Sequence, residues 1–263
     1  MIRLLISDLD GTLIHNHADM KEEDLAALRH AKDAGLELAF ASGRMHPEIL
    51  SVMAQIGVSV HSISQNGAYA HLADGSLIAR NAFDPELQRA LIRAGESTPF
   101  LTLLCAADYY IVERMTPHGE RIGSRLLAPL HTMPDARSRL GQGIVSGKMS
   151  FFGEIDQLNA FREQLKAEHG ERIDAYISDI DCLDVMPGGV SKGTGVRALT
   201  SRLGISPDET VCIGDSFNDL PMFAETPHSY AMAGSHPDVR SRAAHVTASV
   251  ARVIERITAT ERR

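Results

Sequence analysis

The chain opens with a short apolar run that stops at two carboxylates, and this pattern restricts its fold more than any other feature. Residues 2–6 are typical of a buried strand, and Asp8 and Asp10 follow it two positions apart. Gly11 then allows a sharp turn, and Thr12 adds a hydroxyl. Because ligands of open α/β sheets bind at the carboxyl ends of the strands, the pattern predicts a compact site at that edge. Asp also favours turns by itself, so the pair alone leaves an ordinary turn-forming role open.

Three later segments carry the same kinds of groups. Residues 209–219 contain a second apolar strand, followed by a glycine and clustered acids. Residues 36–44 contain another strand, which ends on Ser42, Gly43 and Arg44. The glycine-rich stretch 188–193 presents Lys192 ahead of a helical pattern. Strand-end acids, a strand-end serine and a loop lysine are the groups needed to hold a dianion against a metal.

Composition narrows the class of protein. A length of 263 residues suits one large or two modest domains. The formal net charge of −8 argues against nucleic acid or an anionic membrane surface as a partner. No apolar stretch approaches membrane-spanning length, and the opening run is too short for a signal peptide. The chain has three widely spaced cysteines, Cys105, Cys182 and Cys212. This pattern predicts reduced, buried thiols and a cytoplasmic location. We expect a monomer or a homodimer.

Strand and helix patterns alternate along the chain, which predicts parallel sheets with crossover helices. Besides the strand that opens the chain, the flanking regions predict helices over 20–35, 46–57, 193–203 and 250–258, and strands over 58–64, 210–215 and 244–249. The rhythm is looser from about residue 83 to residue 185, where we expect helices over 85–94 and 155–168 and strands over 100–105, 109–113, 148–152, 172–177 and 182–186. This predicts a core formed by residues 1–82 and 186–263, with an inserted domain at 83–185.

Taken in order, the four polar segments resemble the motifs of the haloacid dehalogenase superfamily. They are residues 8–12, 42–44, 192–193 and 214–219. Three further stretches are similar to the Cof-type phosphatases, a branch with a large α/β cap inserted between the second and third motifs: residues 65–68, 186–193 and 230–233. The resemblance extends to about residue 247. It implies an α/β fold, with a Rossmann-like parallel sheet core, helices on both faces, and an inserted α+β cap domain.

The resemblance implies a phosphohydrolase that cleaves small phosphorylated metabolites, such as sugar phosphates, through an aspartyl-phosphate intermediate. Asp8 would be the nucleophile, and Asp10 would protonate the leaving oxygen and then activate water. Mg²⁺ is the expected cofactor, because oxygen ligands suit hard ions and no Cys/His ligand cluster accompanies the acids. By resemblance its ligands are the Asp8 carboxylate, the Asp10 backbone carbonyl and Asp215.

Other groups would surround the phosphate or support the site. The resemblance implies phosphate donors in the amides of Leu9 and Gly43 and in the side chains of Ser42, Lys192 and Asn218. Each of these side chains has a plainer alternative, because Ser42 could cap a helix, Lys192 could be a solvated loop residue and Asn218 could form a turn. Three roles stay open: Thr12 could donate to substrate or stiffen the turn, Arg44 could contact substrate or pair with an acid, and Asp219 could support the metal or anchor Lys192.

Two other functions fit the same motifs. A phosphomutase of the same capped branch would share both Asp8 and Asp10, and a catalytically idle phosphosugar-binding regulator would need neither. The intact catalytic acids disfavour the regulator. The chain departs from the Cof-type pattern at Gly234, where a polar residue is common, and at Val250, where a polar, glycine-containing tail is typical. Both departures leave the acids untouched.

Overall fold

The computed structural model describes residues 1–15 and 19–260. The chain divides into two compact units: a core unit of residues 1–79 and 191–263, and an inserted unit of residues 80–190. Strands and helices are numbered below in chain order through both units.

A parallel sheet forms the centre of the core unit. The described strands of the core unit are β1 (Leu4–Ser7), β2 (Ile14–His15), β3 (Asp19–Met20), β4 (Glu37–Ala41), β5 (His61–Ser64), β6 (Tyr69–His71), β7 (Leu77–Arg80), β14 (Thr210–Gly214), β15 (His228–Met232) and β16 (His245–Thr247). In the described residues the main sheet has the order β16-β15-β14-β1-β4-β5-β6-β7. The strands from β16 to β5 pair in parallel, whereas β6 is antiparallel to β5. β2 and β3 form a separate antiparallel pair.

Helices cover both faces of this sheet. They are α1 (Glu22–Asp33), α2 (His46–Ile56), α6 (Lys192–Leu203), α7 (Leu220–Phe223), α8 (Pro237–Arg240) and α9 (Val250–Thr260). One hydrophobic cluster joins the sheet to α1, α2 and α9 through residues such as Leu28, Ile49 and Ile254. A second cluster joins the other face to α6 and α7 through Leu199 and Phe223. The buried apolar positions of α1, α2, α6 and α9 recur at helical spacing, which explains why these segments pack as amphipathic helices.

The inserted unit is built differently. Its described elements are α3 (Pro85–Glu96), β8 (Leu101–Cys105), β9 (Tyr110–Val112), α4 (Pro117–Gly123), β10 (Leu130–Thr132), β11 (Lys148–Phe152), α5 (Ile155–His169), β12 (Ile173–Asp179) and β13 (Cys182–Pro187). The sheet order is β10-β9-β8-β11-β13-β12 in the described residues, and only β9 and β10 pair in parallel there. Short connections such as that between β12 and β13 permit hairpins, whereas parallel pairing needs a crossover. The unit is therefore α+β, with its own hydrophobic core against α3 and α5.

Local sequence explains where several helices begin and end. The Asp84 side chain accepts a hydrogen bond from the Leu87 amide at 2.8 Å, and Pro85 occupies the first position of α3. α6 ends at Gly204, which adopts the left-handed conformation that favours glycine. Among the described helices, none is both long enough and apolar enough to cross a membrane.

Candidate active site

The carboxyl ends of three neighbouring strands bring the predicted polar groups together. β1 lies between β4 and β14 and pairs in parallel with both. Asp8 follows β1, Ser42 follows β4 and Asp215 follows β14. The Asp8 amide donates to the Ile213 carbonyl at 2.8 Å, which holds the first acid against the end of β14. The site therefore lies at the edge where ligands of α/β sheets bind.

Asp8, Asp215 and Asp219 form an acidic cluster, with one oxygen from each lying within 4.8 Å of the other two. Burial raises the pKa of Asp8 well above its ordinary value despite the opposing charge of Lys192, and nearby Asp219 raises it further. Burial and then Asp219 also raise the pKa of Asp215. Gly11 makes the close approach possible, because a Cβ there would lie 2.3 Å from Asp215 Oδ2 and φ is +86°.

Lys192 supplies the positive charge inside this cluster. Its Nζ lies 2.6 Å from Asp8 Oδ1 and 2.6 Å from Asp219 Oδ1, and the residue is only 1% exposed. Although burial opposes it, the charges of Asp219 and Asp8 raise the pKa of the Lys192 ammonium. Lys192 is the first residue of α6, and the preceding Ser191 caps that helix. The alternative of a solvated loop lysine is therefore wrong for this residue.

Asp219 and Thr12 each orient another member of the cluster. Asp219 Oδ2 accepts from the amides of Asp215 and Ser216 at 2.8 and 2.9 Å, while its Oδ1 binds Lys192. Both of its oxygens are thus engaged, which is the arrangement of a Lys192 anchor. Thr12 Oγ1 donates to Asp215 Oδ1 at 3.2 Å. In the structure Thr12 therefore orients Asp215.

Asp10 and Arg44 form an ion pair beside the cluster. Arg44 Nε donates to Asp10 Oδ2 at 2.8 Å and Arg44 Nη2 to Asp10 Oδ1 at 2.6 Å. The Asp10 side chain is 52% exposed, whereas that of Arg44 is 19% exposed. The hydrogen bonds to Asp10 raise the pKa of Arg44 despite its partial burial. Of the two roles considered for Arg44, the structure places it in a bidentate pair with an acid.

The remaining predicted residues lie at the same edge. Ser42 Oγ accepts from the Arg44 amide at 3.2 Å, and α2 begins after Met45, so Ser42 does not cap α2. Gly43 lies between them, and Leu9 directly follows Asp8. Asn218 belongs to a single 3₁₀ turn, Phe217–Asp219, and its Nδ2 donates to Asn66 Oδ1 at 3.2 Å. Asn218 therefore forms a turn next to Asp219 and also contacts Asn66.

Sequence reasoning gave Asn66 no role, although it singled out residues 65–68 as a motif. The side chain of Asn66 contacts Asn218, which is 152 positions away in the chain. The available signal was the Asn-Gly pair after a strand, since Asn and Gly are the residues that tolerate left-handed backbone. That signal predicts a turn but not its partner.

The residues present fit a hard divalent cation. Asp8 and Asp215 offer carboxylate oxygens that burial and the neighbouring charge of Asp219 disfavour as anions, so a bound cation would stabilise their charged forms. Within the described residues, the one group of three or more potential metal ligands contains Asp alone, without His or Cys. Oxygen-only ligand sets suit Mg²⁺. Because Lys192 and two amides occupy Asp219, Asp8 and Asp215 are the available side-chain ligands.

Together, a doubly covered parallel sheet and a carboxylate–lysine cluster at its carboxyl edge define the class of α/β enzymes that act on anionic substrates. The family model of haloacid dehalogenase-like hydrolases matches residues 5–253, and the chain belongs to this family. The Cof-type resemblance and the fold class expected from the sequence are thereby confirmed.

Individual relatives agree with this assignment. A Citrobacter koseri protein named HMP-PP phosphatase is 27% identical over 253 residues, covering 94% of this chain and 90% of the relative. A crystal structure from Thermotoga maritima has a TM-score of 0.87 at 24% identity and covers 97% of both chains. A structure described as a sugar phosphatase of the same superfamily has a TM-score of 0.79 at 20% identity, covering 97% of this chain and 99% of that one. The chain is a phosphatase.

Proposed function

We propose that this phosphatase is Mg²⁺-dependent and hydrolyses small phosphorylated metabolites through an aspartyl-phosphate on Asp8. The observation that carries the proposal is the environment of the Asp8 carboxylate. It is buried, one oxygen binds the Lys192 ammonium at 2.6 Å, and Asp215 lies beside it. A carboxylate held by a fixed cation next to a metal ligand can approach an anionic phosphoryl group.

Hydrolysis then requires two transfers. In the first, an Asp8 oxygen bonds to phosphorus, the bond from phosphorus to the leaving oxygen breaks, and Asp10 gives that oxygen a proton. In the second, Asp10 takes a proton from water, the water oxygen bonds to phosphorus, and the bond from Asp8 to phosphorus breaks, which releases inorganic phosphate. Mg²⁺, held by Asp8, the Asp10 carbonyl and Asp215, would offset the repulsion between nucleophile and phosphate.

The proposal gives the remaining groups defined tasks. Lys192, Ser42, Asn218 and the amides of Leu9 and Gly43 would donate to the phosphoryl oxygens. Each carboxylate oxygen of Asp10 accepts from one nitrogen of Arg44. The Asp10 carboxyl group must therefore leave this ion pair before it can carry a proton. The inserted unit would determine which leaving groups the enzyme accepts.

HMP-PP and sugar phosphates are the two substrate classes to compare. HMP-PP is the substrate in the name of the Citrobacter koseri relative. Sugar phosphates come from the description of a structural neighbour and from the resemblance to the Cof-type motifs. We propose the cytoplasm as the location, because Cys105, Cys182 and Cys212 are buried within strands, form no disulfide among the described residues and suit a reducing compartment.

The experiment is a phosphate-release assay on para-nitrophenyl phosphate, HMP-PP and a panel of sugar phosphates, with Mg²⁺ and with EDTA. We expect release with Mg²⁺ and loss of release with EDTA. Asp8→Asn should reduce kcat by about 1,000-fold or more, because the covalent nucleophile is removed. Asp33→Asn is the matched control, since Asp33 is exposed at the end of α1.

Three results would contradict the proposal. Retention of a large part of activity in Asp8→Asn would exclude the aspartyl-phosphate. Full activity in EDTA would exclude the metal. Return of phosphate to another position of the same sugar, without free phosphate, would show the phosphomutase instead.

A further inference from the structure

We propose that Asn66 is a positioning residue of the phosphate site, which fixes the orientation of the Asn218 amide so that its nitrogen faces the phosphoryl group. The inference rests on the proposed function, since it assigns Asn218 to the phosphate. It gives a role to Asn66, which the sequence analysis placed in a motif without a function.

The first observation is backbone strain. Gln65 and Asn66 have φ values of +48° and +53°, and they are the non-glycine residues with positive φ in the described part of the chain. Left-handed backbone costs about 1–2 kcal/mol per residue outside glycine, and Asn tolerates it better than most residues. Two such residues in succession persist only where the surrounding structure imposes them, and they occur preferentially at functional sites.

The second observation is what imposes this turn. The Gln65 amide donates to the Arg44 carbonyl and the Asn66 amide to the Ser42 carbonyl, both at 2.9 Å. Gly67, with φ of +99°, lies so close to α6 that a Cβ would be 2.0 Å from the Ser191 carbonyl oxygen. The turn therefore joins the segment after β4 to the residue that precedes Lys192.

The third observation concerns the Asn66 side chain. Its Oδ1 accepts from Asn218 Nδ2 at 3.2 Å, and a Cβ on Gly43 would lie 3.4 Å from Asn66 Nδ2. The side chain thus lies between two groups proposed to bind phosphate. Asn218 Oδ1 is shielded from water and has no hydrogen-bond partner among the described residues. Because that oxygen is shielded, a ligand can reach the Asn218 amide only through its nitrogen.

Hydrogen-bond chemistry connects these facts. Phosphoryl oxygens at neutral pH only accept, so Asn218 can serve them only through Nδ2. The Asn218 amide nitrogen carries two hydrogens. Asn66 Oδ1 accepts one of them at 3.2 Å, which leaves the other to donate to the phosphoryl group. Asn66 thereby holds the nitrogen of Asn218, rather than its oxygen, in the position that can serve the phosphate.

The test uses Asn66→Gly in the full chain. Glycine favours the left-handed backbone, so the turn should form and the thermal midpoint should stay at or above that of the wild type. We expect the Kd for orthovanadate in the presence of Mg²⁺ to rise about tenfold, as for the loss of one hydrogen bond to a charged group. Most of the kinetic loss should appear in kcat/KM for para-nitrophenyl phosphate.

A double-mutant cycle separates positioning from a structural role. In an Asn218→Ala background, Asn66→Gly should change the vanadate Kd by less than about twofold, because the group that Asn66 orients is absent.

A failure of this inference can be told apart from a failure of the proposed function. If the proposed function fails, the wild type itself will not bind vanadate or release phosphate; if only the inference fails, the wild type will do both. Wild-type vanadate affinity in Asn66→Gly would overturn the inference. An equal loss with and without Asn218 would also overturn it, since Asn66 would then act through another group.

Discussion

At the scale of single residues, Lys192 determines whether three acids can share one buried site. It contacts Asp8 and Asp219, and the Asp219 oxygen that it does not bind accepts two backbone amides. A buried ion pair depends on both partners, because the unpaired charge that remains after a deletion is strongly unfavourable. The lysine therefore stabilises the fold of the site, whatever it contributes to the proposed chemistry.

Lys192→Met should accordingly lower both stability and activity. We expect the free energy of unfolding to fall by about 3–5 kcal/mol, since two buried carboxylates lose their cation. Phosphate release should fall to background. Chemical denaturation measures the first effect, and Lys166→Met, which replaces an exposed lysine of α5, is the control. Wild-type stability in Lys192→Met would show that the lysine is not the main counterion.

The sequence could predict the residues whose position follows from a strand end. Asp8, Ser42 and Asp215 come directly after parallel neighbouring strands, so their meeting follows from topology alone. The pairing of Arg44 with Asp10 could not be chosen in advance, because a guanidinium beside an acidic edge suits a substrate equally well. Asn66 was missed because its role depends on a partner far along the chain and on strain that sequence does not reveal.

At the scale of elements, Asp24 joins α1 to α9. Its Oδ1 accepts from the Ala251 amide in the first turn of α9 at 2.7 Å, and the residue is fully buried. Burial raises the pKa of Asp24, although the bond from Ala251 opposes the rise. An acid with a raised folded pKa stabilises the fold at low pH, and this contribution is lost as pH rises through the folded pKa.

Asp24→Asn and Asp24→Ala should therefore behave differently. Asn keeps an acceptor for Ala251 without ionising, so its stability relative to the wild type should increase from about pH 4 to about pH 8. Ala removes the acceptor and should cost about 1–2 kcal/mol. Unfolding of both variants across this pH range provides the measurement, with Asp33→Asn as the control on the same helix. If the free energy of unfolding of Asp24→Asn instead fell relative to that of the wild type as pH rises, the raised pKa of Asp24 would be contradicted.

A second buried ion pair connects two strands of the inserted unit. Lys148 of β11 lies 2.9 Å from Asp184 of β13, and Ser150 donates to the same carboxylate at 2.5 Å. Although burial opposes it, Asp184 raises the pKa of Lys148. Both side chains are less than 10% exposed, so neither can turn to water without rearrangement.

Asp184→Ala should thus destabilise the chain by about 3–5 kcal/mol, because Lys148 would stay buried without a counterion. The double variant Lys148→Met/Asp184→Leu should recover most of this loss, since no charge then remains. Glu255→Ala removes an exposed pair with Arg252 and should change stability by less than about 1 kcal/mol. A double variant no more stable than Asp184→Ala would indicate that lost packing, rather than the unpaired charge, causes the effect.

Most of the long helices and strands could be predicted from the sequence. The strand over 148–152 and the helix starting at residue 46 begin where the pattern predicted, because clear apolar periodicity and Pro47 mark them. The antiparallel strand Tyr69–His71 was not predicted, since three residues carry too little periodicity. Between residues 114 and 147, short pieces such as α4 and β10 depend on tertiary packing more than on pattern.

At the scale of the whole molecule, the two units have separate hydrophobic cores. The core unit has clusters on both faces of its sheet, and the inserted unit has one between its sheet and α3 and α5. All the residues proposed for the active site lie in the core unit. A unit with its own core and a complete site can in principle fold and bind alone.

Replacing residues 80–190 by a short flexible linker tests this division. If the core unit alone recognises phosphate, the shortened protein should still bind Mg²⁺ and orthovanadate, with affinities within about tenfold of the wild type. If the inserted unit determines which leaving groups are accepted, kcat/KM should fall far more for HMP-PP and sugar phosphates than for para-nitrophenyl phosphate, whose leaving group needs few contacts. Circular dichroism and cooperative unfolding establish that the shortened protein is folded. A folded core that kept the wild-type ranking of substrates would place selectivity in the core unit instead.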